Sequence, residues 1–383
     1  MSTRGTTIGV NAVNLRRGGG ITHLVELLSA ANPARFGIER VIVWGGKDLL
    51  SALPRRPWLI KSSFPAFKRG LLTRTVWQQF YLPKVAREEG CDVLFIPGGN
   101  YLGAFRPAVT MSRNMLPFEW RELLRFGFTL STLRLLALRL LQARSFQKAD
   151  GVIFLTDYAQ KNVCVVTGQL SARVTTIPHG LNPRFRCQPK VQRPISDYDE
   201  ASPFRILYVS IVDQHKHQWH VVDAVAELRR QGFPVVLDMV GPAESKSLRR
   251  LKRRMERRDS TNTWAFYHGP EDFNELHHRY QAADVGLFAS SCENLPNILL
   301  EKMASGLPIA CSSRGPMPEV LGPEAVYFDP ERPEEIAAAL MRLIGNNTLR
   351  HDLSKKSYAR AQQYSWQLCS ERTFEFLASF RGA

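Results

Sequence analysis

The stretch 285-VGLFASSCENLPNILLEKMASGLPIA-310 has the pattern of a strand, a loop, a helix and a second strand. The short apolar run Val285–Ala289 is followed by a polar loop, and apolar residues then recur at helical spacing over Asn297–Ala304. A Gly-Leu-Pro turn separates this helix from the next apolar run, Pro308–Ala310. Short apolar strands that alternate with helices are typical of a parallel sheet covered on both faces. The stretch therefore predicts an α/β fold.

The same alternation extends over most of the chain. Apolar runs bounded by turn residues predict further strands at Thr7–Asn11, Arg40–Trp44, Asp92–Ile96, Ala108–Met111, Gly151–Leu155, Arg205–Val209, Pro234–Val240 and Trp264–Tyr267. Helical spacing predicts helices at Ile21–Ala30, Trp219–Gln231, Asn274–Ala282 and Trp366–Phe380. Because a chain of 383 residues is longer than one hydrophobic core usually supports, we predict two domains, and the alternation of strands and helices indicates that both are Rossmann-like.

The domain boundaries follow from a change in composition. Cys187–Pro203 is polar, contains three prolines and lacks periodicity, as linkers do. We predict an N-terminal domain at 1–186, a linker at 187–202, a C-terminal domain at 203–364, and a final helix at 365–383 that returns to the N-terminal domain.

Composition indicates a folded protein of a reducing compartment. Apolar residues make up 44% of the chain, and no apolar run reaches the roughly 20 residues that span a bilayer. The six cysteines are scattered without a C-x-x-C pair, which argues against a zinc site. We expect a cytoplasmic protein.

The net charge of +16 lies almost wholly in the first half of the chain. Residues 1–182 contain 24 Lys and Arg against 10 Asp and Glu, whereas residues 183–383 contain 27 against 25. A basic half implies an anionic partner, for which a membrane surface, a phosphorylated substrate and nucleic acid are the candidates.

Two carboxylates, Glu293 and Glu301, lie eight positions apart around the start of the predicted helix. Glu293 precedes Pro296 and so belongs to the loop, whereas Glu301 lies one turn into the helix. Carboxylates accept hydrogen bonds from hydroxyls, and a helix N-terminus binds phosphate. The loop, the helix N-terminus and Glu301 can therefore converge on one ligand, although the spacing alone also suits a surface glutamate.

A glycine-rich turn, Gly18–Gly20, follows the first strand and precedes the first helix. Glycines allow a backbone to approach a phosphate closely, and the following helix presents free N–H groups. The turn lacks the full G-x-G-x-x-G pattern, so an ordinary strand-to-helix turn remains an equal interpretation.

These motifs together resemble the retaining glycosyltransferases of the large GT4 family, also called glycosyl transferases group 1. Glu293 and Glu301 correspond to the family's E-x7-E region. The resemblance continues through Ile177–Asn182, which is similar to an interdomain I-P-N-G-V-D, and through Leu207–Ser210 with Lys216. It implies a GT-B fold, with two Rossmann-like domains facing across a cleft.

The resemblance also implies a role for each residue. Glu301 would bind the ribose hydroxyls of a nucleoside-diphosphate sugar, Glu293 the hydroxyls of the transferred sugar, and Lys216 the departing diphosphate. Donor-binding residues would also include Gly19, Gly20, Asn294, Leu295, Pro296, Asn297 and Ile298. The implied reaction transfers the sugar with retention to a glycan or lipid-linked acceptor, without a metal or a cofactor. The only D-x-D, Asp197–Asp199, falls in the predicted linker.

Three positions depart from the family's pattern. Ile211 stands where the family usually has the arginine that partners Lys216, and Arg314 and His215 are candidates to supply that charge. Arg113 occupies the place of a family histidine, so we assign it a catalytic role on the acceptor side. Asn294 follows the first glutamate where the family often has E-G-F-G, which changes the sugar pocket.

Two segments concentrate the charge of the basic half, namely Lys61–Arg74 and Trp120–Lys148. Both segments mix cations with Phe, Trp or Leu, a composition that suits contact with the anionic inner face of the cell membrane. For the second segment an equal alternative is that its leucines face the domain core. The basic run Arg249–Arg258 lacks interleaved aromatics, so we predict a solvated helix face there and no nucleic acid.

Two other functions compete with sugar transfer. A sugar-nucleotide epimerase would share the glycine turn and the interdomain motif. A catalytically weak, membrane-associated scaffold would explain the missing arginine at Ile211. The order of the motifs in the C-terminal half favours transfer, for example in cell-surface polysaccharide or lipopolysaccharide synthesis.

Overall fold

The strands of this protein form two separate parallel sheets in the computed structural model, which describes residues 5–16, 19–68 and 70–382. The first unit comprises the described residues up to Gly180 together with those from Tyr364 onward, and the second comprises Leu181–Gln363. Each unit has its own sheet with helices against it, so both predicted Rossmann-like domains are confirmed.

The first sheet has seven strands in the order β3-β2-β1-β4-β5-β6-β7. They are β1 (Thr6–Ala12), β2 (Ile38–Gly45), β3 (Leu59–Ser62), β4 (Val93–Ile96), β5 (Ala108–Met111), β6 (Gly151–Phe154) and β7 (Arg173–Thr176). All residues of β1, β4, β5 and β6 are buried, as expected for strands covered on both faces. The strand order reverses between β1 and β4.

The helices of the first unit follow its strands in alternation. They are α1 (Gly19–Ser29), α2 (Lys47–Ala52), α3 (Leu71–Val76), α4 (Leu82–Glu88), α5 (Trp120–Leu124), α6 (Leu130–Lys148) and α7 (Asp157–Thr167). A π-helical turn, Trp77–Tyr81, joins α3 to α4, and short 3₁₀ turns occupy Pro33–Phe36 and Pro65–Lys68.

The second sheet has six strands in the order β10-β9-β8-β11-β12-β13. They are β8 (Phe204–Val209), β9 (Val235–Val240), β10 (Ala265–Gly269), β11 (Val285–Phe288), β12 (Ile309–Ser312) and β13 (Val326–Phe328). Its helices are α8 (Gln218–Arg230), α9 (Ser245–Arg258), α10 (Leu276–Ala282), α11 (Asn297–Ala304), α12 (Met317–Leu321), α13 (Pro333–Ile344) and α14 (Asn347–Ala361), with 3₁₀ turns at Pro183–Phe185, Ile195–Asp197 and Gln214–Lys216.

The segment 187–202 runs along the second unit. Lys190 lies 3.0 Å from Asp284, and the Tyr198 hydroxyl donates to the same carboxylate at 2.9 Å. The guanidinium of Arg350, which is fully buried, donates to the Gln192 side chain at 3.1 Å. The segment predicted as a linker is thus held to the second unit by side-chain contacts.

The last helix, α15 (Trp366–Ala378), packs against α1 in the first unit. Its start meets the chain at Gly180, where an added Cβ would lie 2.1 Å from the backbone nitrogen of Trp366. At its end, Arg173 lies over the ring of Phe380, 3.6 Å from the centroid. The predicted return of the C-terminal helix to the first domain is therefore confirmed.

Candidate donor site and acceptor-side residues

Two loops of the second unit meet where its strand order reverses. One loop follows β8 and the other follows β11, and these two strands are neighbours in the sheet. In open α/β sheets, ligands bind at the carboxyl ends of the strands at such a switch point. The fold thus places its expected ligand site at the loops that carry Lys216 and Glu293.

Hydrogen bonds hold the two loops together. The Ser291 N–H donates to the His215 carbonyl at 2.9 Å, and the Ser291 hydroxyl lies 2.9 Å from His217 Nε2. His217 adopts a left-handed conformation with φ of 54° and begins α8. Contacts within the protein therefore hold the two loops against each other.

Lys216 and Glu293 form an ion pair between these loops. The Lys216 side chain is buried, and its ammonium lies 5.6 Å from the centroid of the Phe288 ring. A buried charge is costly unless it is paired, and here the glutamate is the partner. An incoming diphosphate would therefore meet a cation that is already positioned by the protein.

Helix α11 begins directly after the Glu293 loop and carries three of the predicted donor residues, Asn297, Ile298 and Glu301. Pro296 is its N-cap and supplies no side-chain hydrogen bond, so the first N–H groups, at Asn297 and Ile298, have no partner within the helix. Leu295 and Leu299 are buried and fix the helix against the unit's core. This arrangement leaves a helix N-terminus beside Glu293, where an anion is favoured.

Glu301 lies on the same helix and is almost fully buried, with 7% of its surface exposed. Its Oε2 accepts a hydrogen bond from the Tyr280 hydroxyl at 2.8 Å. Burial raises the pKa of the Glu301 carboxyl, an effect that the Tyr280 hydrogen bond and the Lys302 charge oppose. The tyrosine holds one carboxylate oxygen in place, and sequence reasoning had not assigned it that contact.

Lys302, next to Glu301, is a fully buried lysine that sequence reasoning did not single out. Its ammonium lies 3.5 Å from the Val209 carbonyl and near the rings of Tyr280 and Phe288. Burial lowers the pKa of Lys302 to about 7, against the favourable charge of Glu301. The ammonium is therefore disfavoured in the folded state.

We expect Lys302→Met to raise the free energy of unfolding at pH 7. Because the folded pKa is about 7 and an unfolded lysine titrates near ~10.4, the cost of burying the ammonium is complete below pH 7 and disappears as pH rises toward 10. The free energy of unfolding of the variant should thus exceed that of the wild type by on the order of 2 kcal/mol or more at pH 7, and by less at pH 9. Denaturant unfolding at both pH values measures it.

The exposed Lys252→Met, in the same unit, serves as the matched control and should leave stability unchanged at both pH values. Groups that do not interact with Lys302 titrate alike in the variant and the wild type, so the difference between them reports on Lys302 and on its charged neighbour Glu301. A gain that does not depend on pH would show that the charge of Lys302 is not what costs stability.

In the first unit, the structure brings together Gly19, Gly20 and Arg113. The Arg113 guanidinium donates to the Gly19 carbonyl at 2.6 Å, and a Cβ on Gly20 would lie 3.1 Å from Arg113 Nη1. Burial lowers the pKa of Arg113 to about 10, so the side chain stays charged at neutral pH. Gly18, the first glycine of the predicted turn, lies outside the described residues.

His23, on α1, is a buried histidine of the same unit. It is 2% exposed, and neither ring nitrogen has a hydrogen-bond partner among the described residues. Its ring lies 5.4 Å from Trp366 and 6.4 Å from His179 between centroids. Burial, followed by the charges of Arg113 and His179, lowers the pKa of His23 well below its usual range, so the imidazole is neutral.

Arg314 was a candidate to replace the family arginine beside Lys216, but its charge is already neutralised. Its guanidinium pairs with Asp329 at 2.7 Å and with Glu331 at 2.5 Å. Ile211, at the position of the family arginine, is 39% exposed. The second candidate, His215, lies 3.9 Å from the Asp213 carboxylate.

Within residues 5–16, 19–68 and 70–382, no group of three or more His, Cys, Asp and Glu side chains is placed to hold a metal ion. In the D-x-D sequence, the Asp199 carboxylate instead accepts from the backbone N–H groups of Ala201 and Ser202. The independence from metal that the family resemblance implies stays a prediction.

Comparison with known proteins agrees with this fold. Residues 196–360, which lie in the second unit, match the family described as Glycosyl transferases group 1. The O-antigen chain mannosyltransferase B of Escherichia coli is 26% identical over 241 residues, which cover 60% of this chain and 60% of that protein. The matched part thus spans less than two thirds of this relative's own length.

Solved structures resemble the chain over nearly its whole length. HepE of Anabaena, solved in complex with UDP, has a TM-score of 0.71 at 17% identity and covers 98% of this chain and 100% of its own. Sucrose-phosphate synthase of Thermosynechococcus elongatus has a TM-score of 0.75 at 16% identity, with 97% and 98% covered. The chain has the GT-B fold, and its second unit resembles the glycosyl transferases group 1 family.

Proposed function

We propose that this protein is a glycosyltransferase that moves a hexose from a nucleoside-diphosphate sugar to a glycan or lipid-linked acceptor. One observation carries the proposal, namely that Lys216, the N-terminus of α11 and Glu301 lie on loops and a helix at the switch point of the second sheet. A cation and a helix N-terminus suit a diphosphate, and a buried carboxylate one turn further suits ribose hydroxyls.

The proposed reaction breaks the bond between the anomeric carbon and the diphosphate, and forms a bond from that carbon to an acceptor hydroxyl oxygen. The proton of the hydroxyl ends on the departing diphosphate. Positive charge develops at the anomeric carbon and negative charge on the leaving group. Lys216 and the first N–H groups of α11 would stabilise the leaving group, as preorganised donors do, without a metal.

Retention at the anomeric carbon is part of the same proposal and rests on the resemblance to retaining enzymes. Glu293 would bind hydroxyls of the transferred sugar, and Arg113 with Gly19 and Gly20 would act on the acceptor side. The E. coli relative is named an O-antigen mannosyltransferase, and HepE was solved with UDP. GDP-mannose and UDP-glucose are therefore the first donors to try, and a role in cell-surface polysaccharide synthesis is the first to test.

Thermal-shift measurements with GDP, UDP, dTDP and their sugars test the donor. A nucleotide that binds only the folded state raises the melting temperature, by a free energy that grows with its concentration. We expect one base to be preferred, and the corresponding sugar nucleotide to release its diphosphate when acceptor is present. Conversion of the donor into an epimeric sugar nucleotide would instead support an epimerase, and binding without turnover would support a scaffold.

We propose that the protein is cytoplasmic and binds the inner face of the cell membrane through the first unit. No helix in the described parts of the chain is both long enough and apolar enough to cross a bilayer. In the segment Trp120–Lys148, no residue from Leu130 to Leu141 is fully buried, and Leu130, Leu133 and Leu140 are exposed. Exposed apolar side chains among arginines suit the interface of an anionic bilayer.

A pelleting assay with vesicles of phosphatidylcholine and phosphatidylserine tests this association. Phe128, Leu130 and Leu133 are 111%, 85% and 63% exposed, and we expect their joint replacement by serine to weaken vesicle binding by about tenfold or more. Val191→Ser, which removes an equally exposed apolar side chain from the second unit, should bind as the wild type does. Absence of wild-type binding at low salt would contradict the association.

A further inference from the structure

A cavity of about 280 Å³ lies within the first unit, in the loops that follow β1, β2 and β3. Arg16 comes from the loop after β1, Lys47 from the start of α2 after β2, and Lys68 from the 3₁₀ turn after β3. The carboxyl ends of three neighbouring parallel strands thus each contribute one cation to a single concave site. None of these three residues belongs to the donor or acceptor-side residues described above.

The charge of the cavity favours an anion. Its lining contains these three cations against one carboxylate, that of Asp48. The Arg16 guanidinium is held in place because it donates to the Phe67 carbonyl. Lys47 and Lys68 are exposed, and neither forms an ion pair with any residue that the structure describes. Two ammonium groups are therefore available to a ligand in a half of the chain that is already strongly basic.

The floor of the cavity is apolar. Leu49 and Phe67 line it and are each only 2% exposed, so the base is part of the packed core of the unit. Small-molecule sites combine such an apolar lining with a few placed polar groups, and usually measure roughly 300–1,000 Å³. The volume of about 280 Å³, just below that range, suits one sugar-sized group and is too small for a whole nucleotide sugar.

We propose that this cavity binds an anionic group, a phosphate or a carboxylate, carried on a sugar-sized part of the acceptor. The lysines bind the anion, and the apolar floor receives the face of the ring. The assignment to the acceptor rests on the proposed glycosyltransferase function, whereas anion binding at the cavity does not. The proposal narrows the acceptor to anionic saccharides or to saccharides joined to a phosphate.

Calorimetric titration at low salt tests the cavity with four probes: glucose 6-phosphate, glucuronate, inorganic phosphate and glucose. We expect one of the two charged sugars to bind more tightly than glucose, and more tightly than phosphate alone because the apolar floor also contributes. Tighter binding of glucose 6-phosphate would identify the anionic group of the acceptor as a phosphate, and tighter binding of glucuronate would identify it as a carboxylate. The absence of saturable binding by both charged sugars would overturn the proposal.

The double variant Lys47→Ala/Lys68→Ala should weaken binding of the preferred sugar by about tenfold or more, since charge-assisted hydrogen bonds are lost. Lys84→Ala is the matched control, because it removes an exposed cation of the same unit that does not line the cavity. Both variants should melt as the wild type does. Equal weakening in the control, or none in the double variant, would show that the cavity is not the site.

Nucleotide titrations on the same samples separate this proposal from the proposed function. Nucleotide binding that persists while the charged sugars fail to bind overturns the cavity proposal alone. Binding of a charged sugar that depends on Lys47 and Lys68 in a protein that binds no nucleotide overturns the glycosyltransferase proposal alone.

Discussion

Replacing Lys216 by methionine is expected to lower kcat by about 10²–10³-fold, the cost of removing one preorganised donor from a developing charge. In the structure this ammonium is buried and paired with Glu293, so it is held in place before a diphosphate arrives. With Ile211 in the position of the family arginine and Arg314 paired with two carboxylates, we expect Lys216 to supply most of the cationic stabilisation of the leaving group. Steady-state kinetics with the preferred donor measure the effect.

The loss of Lys216 also leaves Glu293 without its partner, which can destabilise the second unit. A second variant, Lys216→Met/Glu293→Gln, removes the unpaired charge and should recover the melting temperature without recovering turnover. The exposed Lys252→Met in the same unit should retain wild-type kcat. Near-normal turnover in a folded Lys216→Met protein would remove Lys216 from the mechanism.

The second large effect is expected at Glu301, where replacement by glutamine should raise the Kd of the donor nucleotide by about 10–100-fold, since hydrogen bonds to a charged group are worth roughly 1.5–3 kcal/mol. The carboxylate is buried, and Tyr280 holds one of its oxygens at 2.8 Å. A neutral amide accepts hydrogen bonds only through its single oxygen, so it cannot accept from ribose hydroxyls through two oxygens as a carboxylate can. Calorimetric titration of the nucleotide measures the change.

Two controls accompany the Glu301 variant. Glu256→Gln replaces an exposed glutamate of the same unit and should bind nucleotide as the wild type does. Tyr280→Phe keeps the carboxylate but removes the hydrogen bond that orients it, so we expect a smaller loss than in Glu301→Gln. If Glu301→Gln bound the nucleotide normally, the ribose would have to be recognised elsewhere.

The two Rossmann-like domains were predictable because most of their strands are buried on both faces and read as short apolar runs. The strands that were not predicted, β3, β7 and β13, are all at sheet edges. They have only three or four residues and are partly exposed, as in β7, where no residue is fully buried. Their apolar signal is therefore too weak to stand out from the flanking loops.

The position of the candidate donor site could be predicted, but its contacts could not. The order of the motifs predicted that Lys216 and Glu293 share one site although they are 77 positions apart. The spacing of the motifs could not predict the ion pair between these two side chains. The sequence pattern also could not predict that Lys302 is fully buried, because a residue's position along α11 does not by itself identify which face of the helix packs against the core. The leucines of α6 illustrate the same limit, since the sequence left open whether they face the domain core, and the first three turns of the helix are not fully buried.

The most direct test of the account is hydrogen exchange with and without a saturating nucleoside diphosphate, read by mass spectrometry. We predict slower exchange in peptides that cover the two loops at the switch point and the start of α11, residues 212–218 and 290–301. Ligand contacts with the backbone N–H groups of Asn297 and Ile298, and stiffening of the Lys216 loop, are the reasons. Protection confined to the first unit, or to strands away from these loops, would contradict the assignment of the donor site to Glu293 and Glu301.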